Sequence, residues 1–181
     1  MRPDVETANK MNAFFLKPRN WLLPLILVGL LAFLGLSLKD KPTAPEVTFT
    51  TLNNEQITLQ QLRGKVVLVN FWATDCPGCI AEMPQLINTY KQYHEQGFEL
   101  VAVAMSYDPP SHVLNYTKKN ALPFPVMHDG FGEVAKAFGD VKLTPTAFLL
   151  DSEGRIIQRV IGELDFTRLH QLLDTHLKKA S

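Results

Sequence analysis

The sequence predicts an α/β domain whose mixed central sheet is flanked by helices, carrying an N-terminal hairpin and a helix–strand insertion and preceded by one transmembrane helix. Three observations carry that prediction. Short β-branched and aromatic runs alternate with stretches whose apolar residues recur every three or four positions. The last two strand-like runs are joined by a short turn, so the sheet closes in an antiparallel hairpin. Near the N-terminus, the 18 residues from Trp21 to Leu38 carry no charge.

At ~1.5 Å per residue that apolar run spans about 27 Å as a helix, close to a hydrocarbon core of ~30 Å. Lys10, Lys17 and Arg19 precede it, which favours a cytoplasmic segment over residues 1–20 and an anchor over residues 21–38. A cleaved signal peptide competes with this reading. The run is long for one, no Ala-x-Ala ends it, and Gly35-Leu36-Ser37 is a weak cleavage site. A buried core helix would show a polar face, and none is present. Residues 39–45 read as a polar, proline-containing linker, leaving residues 46–181 as a domain outside the cytoplasm, where a disulfide can persist.

Within that domain, Val47–Thr50 and Gln56–Leu59 alternate around Asn53-Asn54 as a hairpin. Lys65–Trp72 is a nearly continuous apolar run, expected as a central strand buried on both faces. Ile80, Met83, Ile87, Tyr90 and His94 mark a helix closed by Gly97. Phe98–Met105 is a second buried strand. Ser111–Lys119 is a helix with Ser111 as its expected N-cap. Phe124–Met127 is a short strand whose Pro125 suggests an edge. Glu133–Phe138 is a short helix closed by Gly139. Thr146–Leu150 and Ile156–Ile161 pair around Ser152-Glu153-Gly154, and Phe166, Leu169, Leu172, Leu173 and Leu177 mark a last amphipathic helix.

Composition excludes several classes. Lys and Arg together equal Asp and Glu at 18 each, and no basic stripe exists, so nucleic-acid binding has no support. An apolar content of 46% excludes a disordered chain, and only 2 Cys exclude both a disulfide scaffold and a four-Cys zinc site.

Both cysteines lie in Cys76-Pro77-Gly78-Cys79, where a strand turns into a helix. At a helix start, the dipole and free N–H groups favour a thiolate on Cys76. Cys79 is one turn on, within disulfide reach. A Cys76 thiolate can attack a substrate disulfide, and Cys79 can resolve the mixed disulfide. The plainer readings are half of a zinc site, which would need two more ligands, and an inert structural disulfide.

The stretch Phe71-Trp72-Ala73-x-x-Cys76-x-x-Cys79 resembles the active-site segment of thioredoxin-fold oxidoreductases. Its extension Cys79-x-x-Glu82-x-Pro84 resembles the membrane-anchored TlpA/ResA-like thiol-disulfide reductases of bacteria, as do the hairpin and the insertion from Ser111 to Met127. Leu143-Thr144-Pro145-Thr146-Ala147-Phe148-Leu149 resembles their cis-proline loop and the strand after it. The resemblance implies a thioredoxin-like fold, a redox-active Cys76–Cys79 disulfide, a cis Pro145, and a substrate surface of Trp72, Pro77, Gly78, Thr144 and Pro145. Pro84 is then an expected kink in the active-site helix.

Glu82 would be a partly buried carboxylate assisting proton transfer, against the plainer reading of a solvated helix glutamate. Thioredoxins of the cytoplasmic type carry a buried Asp where this chain has Asn70, which leaves Glu82 as the one titratable base of the motif. Asp75 departs from the family, which usually has an aromatic residue before the first Cys. Its charge disfavours the Cys76 thiolate unless solvent screens it. His94 and His128 read as a helix-surface and a strand-end residue rather than as metal ligands. The resemblance implies protein substrates with vicinal Cys, above all apocytochromes c, with a membrane thiol transporter as electron donor. It also implies location in the bacterial inner membrane with the domain in the periplasm, no metal and no organic cofactor. A copper-delivery module and a general disulfide oxidase remain open alternatives.

Overall fold

The structure is a computed structural model that describes residues 24–31 and 42–180. Residues 24–31 are helical. The rest of the expected anchor and the segment over residues 1–20 lie outside the described residues. No helix among the described residues is long and apolar enough to cross a membrane. The contact pattern separates residues 1–41 from a unit over residues 42–181, and that second unit holds the α/β fold.

Strands β1 (Thr48–Thr50) and β2 (Gln56–Thr58) form the expected antiparallel hairpin. Asn54 supplies a left-handed conformation in its turn, at φ 63°. Five further strands form one mixed sheet: β3 (Val66–Trp72), β4 (Phe98–Ala104), β5 (Val126–His128), β6 (Thr146–Leu150) and β7 (Ile156–Ile161). Their spatial order is β5-β4-β3-β6-β7. β3 runs parallel to β4, β4 parallel to β5, and β6 antiparallel to both β3 and β7.

The continuous apolar run of β3 follows from burial on both faces. Val66, Leu68 and Trp72 face one core with α1 (Pro77–Tyr93) and α4 (Phe166–Ala180), through Met83, Leu86, Leu169 and Leu173. Val67, Val69 and Phe71 face a second core with the hairpin and α3 (Glu133–Ala137), through Phe49, Val134 and Phe138. Phe71 stands edge-on to Phe138 at 5.6 Å and to Phe148 at 5.9 Å between ring centres. Helix α1 ends in a 3-10 turn and Gly97, whose φ of 97° a side chain would strain.

Several boundaries shift by a residue or two from expectation, and two of the shifts have a local cause. Helix α2 (Pro110–Lys119) starts one residue before Ser111, with Pro109 at the cap position and no capping side chain. Pro110 marks the start instead, because its fixed φ suits a first helical position that needs no donor. The edge strand is Val126–His128 rather than Phe124–Met127, since Pro125 has no N–H to place in a ladder; its carbonyl still accepts the Ala102 N–H at 2.9 Å.

This register collects one end of the sheet. Trp72 pairs with Ala104, Ala104 with His128, Phe71 with Thr146, and Thr146 with Ile161. The loops after β3, β4, β5 and β7 and the loop before β6 therefore meet at that end.

Candidate active site

Cys76 caps α1 in extended conformation (φ −94°, ψ 106°), and Pro77 takes the first helical position. Cys76 and Cys79 form a disulfide with Cα atoms 5.3 Å apart. The Cys79 N–H donates to Cys76 Sγ at 3.2 Å, so the sulfur occupies the place of an N-cap acceptor. Cys76 is half-buried and Cys79 fully buried. An incoming sulfur can thus reach Cys76 alone, and the helix start favours negative charge there.

The segment before the motif is held from the β4–α2 loop. Asp108 is buried, and its two carboxylate oxygens accept from the Thr74 N–H and the Thr74 hydroxyl, each at 2.6 Å. His128 Nε2 lies 2.8 Å from the Asp108 carbonyl, so this histidine braces the loop. His94, read as a helix-surface residue, is half-buried, with its ring stacked on Tyr90. Among the described residues no group of three or more His, Cys, Asp or Glu is placed to hold a metal ion.

The Thr144–Pro145 peptide bond is cis. The Gly162 N–H donates to the Pro145 carbonyl and the Thr146 hydroxyl to the Leu143 carbonyl, at 2.8 and 2.7 Å. Tyr107 Oη and Thr144 Oγ1 lie 3.1 Å apart, tying this loop to the one that carries Asp108. The ladder of β6 begins at Thr146, which leaves the Thr144 backbone outside it. Exposed apolar side chains gather at the same end of the sheet: Tyr107, Leu143, Ile161, and Phe131, which is 95% exposed.

Trp72 requires a correction. Its side chain is 0% exposed and packs on Tyr116 at 5.3 Å between ring centres, so it belongs to the core and not to a substrate surface. The residue points to the face of β3 opposite Phe71, under the insertion helix α2. Pro77 is exposed and Gly78 and Thr144 are half-buried, whereas the Pro145 ring is buried.

Glu82 is 4% exposed, which rejects the solvated reading. Its Oε1 accepts from Asn70 Nδ2 at 3.4 Å and its Oε2 from the Leu164 N–H at 3.2 Å. Burial pushes its carboxyl above the ordinary value of 4.5; these two donors oppose the rise and nearby Glu163 adds to it. Asn70 Oδ1 is buried with no partner, and turning that amide over would let a protonated Glu82 donate to it. Asp108, Glu163 and Leu164 carry no motif signal. A Pro-Pro pair after Asp108 and a Gly before Glu163 are the only local marks of their loops.

The Redoxin family model matches residues 39–173. The thiol-disulfide oxidoreductase ResA of Bacillus thuringiensis subsp. konkukian is 38% identical over 136 residues, 75% of each chain. A crystal structure of a thiol:disulfide interchange protein of the thioredoxin family from Chlorobium tepidum superposes with a TM-score of 0.70 at 27% identity, covering 76% of this chain and 97% of that one. StoA from Bacillus subtilis does so with 0.62 at 29% identity, covering 72% and 98%. The fold is thioredoxin-like.

Proposed function

This chain belongs to the Redoxin family as a ResA-like thiol-disulfide oxidoreductase, and we propose that it works as a reductase of protein disulfides outside the cytoplasm. The observation that carries the reading is the half-buried Cys76 at the start of α1 above a fully buried Cys79. That asymmetry separates an attacking sulfur from a resolving one.

The Cys76 thiolate attacks one sulfur of a substrate disulfide, and a Cys76–substrate bond forms while the second substrate sulfur leaves and takes a proton. Cys79 then loses its proton to Glu82 and attacks Cys76 Sγ. The Cys76–Cys79 disulfide forms, and the first substrate sulfur departs as a thiol with the proton that Glu82 took from Cys79. The substrate gains two electrons and two protons, and the enzyme pair is oxidised. A dithiol donor, by family resemblance a membrane thiol transporter, reverses that oxidation. The substrate strand lies along the Thr144 backbone at cis Pro145, over Pro77 and Gly78. The exposed Phe131, Tyr107, Leu143 and Ile161 offer apolar contact around it.

Apocytochromes c, with their vicinal Cys, are the substrates proposed on family grounds. An anchor over residues 21–38 would hold residues 46–181 in the periplasm, supported by the uncharged run and the basic residues before it. The deciding experiment is the equilibrium reduction potential of Cys76–Cys79 in the full chain. A value near ~−270 mV supports a reductase; one near ~−120 mV would make it an oxidase and sink the proposal.

A further inference from the structure

Gly78 stands between the two cysteines without a side chain. A Cβ there would lie 2.9 Å from Glu163 Oε1, 3.3 Å from its Cγ and 3.6 Å from its Cδ. The Glu163 side chain therefore rests on the backbone of the motif itself. The next residue, Leu164, donates its N–H to Glu82 Oε2 at 3.2 Å. Two consecutive residues of the β7–α4 turn thus meet the active-site helix at two points, four residues apart.

We propose that Glu163 is a positioning residue of this site, whose carboxylate over Gly78 acts with the Leu164 N–H to set the proton occupancy of Glu82. The two contacts oppose one another. The N–H donor favours the ionised carboxylate, and the like charge of Glu163 favours the protonated one. The groups that act on Glu82 are the Asn70 amide from β3 and the Leu164 N–H and Glu163 from the turn, and Cys79 lies three positions before it on the same helix. Burial is the largest influence on it, and Glu163 is the one charged group among those that shift it. A proton acceptor serves best when its affinity lies near the working pH. Seated on a glycine that leaves it room, Glu163 adds to the upward push that burial gives Glu82.

The inference rests on Glu82 as the proton acceptor for Cys79, and the test separates the two. The full-length oxidised protein, in which no thiolate contributes, is labelled at the Glu side-chain carboxyl carbon and titrated by NMR. Glu163→Gln should move the Glu82 midpoint to lower pH by about 0.2–0.7 of a unit, the worth of an exposed charge pair. Glu163→Lys should move it further the same way. The difference should shrink as salt rises from about 0.01 to about 1 M, where the Debye length falls from ~30 to ~3 Å. The acid limb of the turnover profile should follow. An unmoved midpoint, or a shift equally large at high salt, overturns the role of Glu163. Unchanged turnover in Glu82→Gln would instead overturn the reading of Glu82, whatever the titration gives.

Discussion

Asp108 grips Thr74 through both carboxylate oxygens, at 2.6 Å each, across 34 positions of sequence. Thr74 lies two residues before Cys76, so the β4–α2 loop braces the segment that leads into the disulfide. The same loop touches the cis-proline loop through Tyr107 and Thr144.

Removing that grip should cost stability at the site. Asp108→Ala leaves the Thr74 N–H and hydroxyl without their acceptor, and we expect a loss of about 1–3 kcal/mol. Asp108→Asn keeps one acceptor and should cost less. Denaturant unfolding of the oxidised protein measures both, and a loss under about 0.5 kcal/mol for the alanine variant would show that water replaces the carboxylate.

The unequal exposure of the two sulfurs predicts unequal trapping. Cys79→Ser should accumulate mixed disulfides through Cys76, because no resolving thiol remains. Cys76→Ser should accumulate almost none, since Cys79 is fully buried. Non-reducing gels after acid quenching read the result, and equal trapping would contradict the assignment of the nucleophile.

Glu82 links pH to both stability and rate. Its folded value lies above 4.5, so between those two values the folded chain binds more protons than the unfolded one. Its contribution falls as pH rises through that window and is level above it. Glu82→Gln removes the dependence, and Gln can accept from Leu164 while donating to a turned-over Asn70. The variant should gain stability relative to wild type as pH rises from the ordinary carboxylate value of 4.5 through the raised value of folded Glu82. Its apparent thiol pKa values should fall, because a carboxylate near the thiols is gone. Turnover should drop about 10- to 100-fold as Cys79 loses its proton acceptor. Parallel stability curves and unchanged alkylation profiles would mean that Glu82 only fills space.

Phe131 tests the apolar collar apart from the chemistry. It is 95% exposed, so Phe131→Ser should leave stability within about 0.5 kcal/mol. Its kcat/KM toward a protein disulfide should fall about 3- to 10-fold, the worth of roughly 1 kcal/mol of apolar contact. Its rate with a small-molecule disulfide should stay unchanged. An equal loss with both substrates would place Phe131 in the redox step and not in docking.

The sequence by itself determined what short-range chemistry can encode. The apolar run of β3 announces a strand buried on both faces, the three-and-four spacing from Ile80 to Tyr90 announces α1, and both cysteines fall at their junction. The cis state of Pro145 is a different case, since an ordinary X-Pro bond favours trans and only the motif around it pointed to cis. Tertiary structure alone decided the rest. Whether Trp72 faces a substrate or the core depends on which side of β3 receives α2, and residues 110–119 are far away in sequence. Whether Glu82 is solvated depends on a turn 82 positions later. Asp108 and Glu163 carry no pattern of their own, because a single charged residue in a loop acquires a partner only when sheet register brings separate loops to one end. Periodicity and propensity are written in neighbouring residues, whereas a hydrogen bond across 34 or 82 positions exists only after the chain has closed around its two cores.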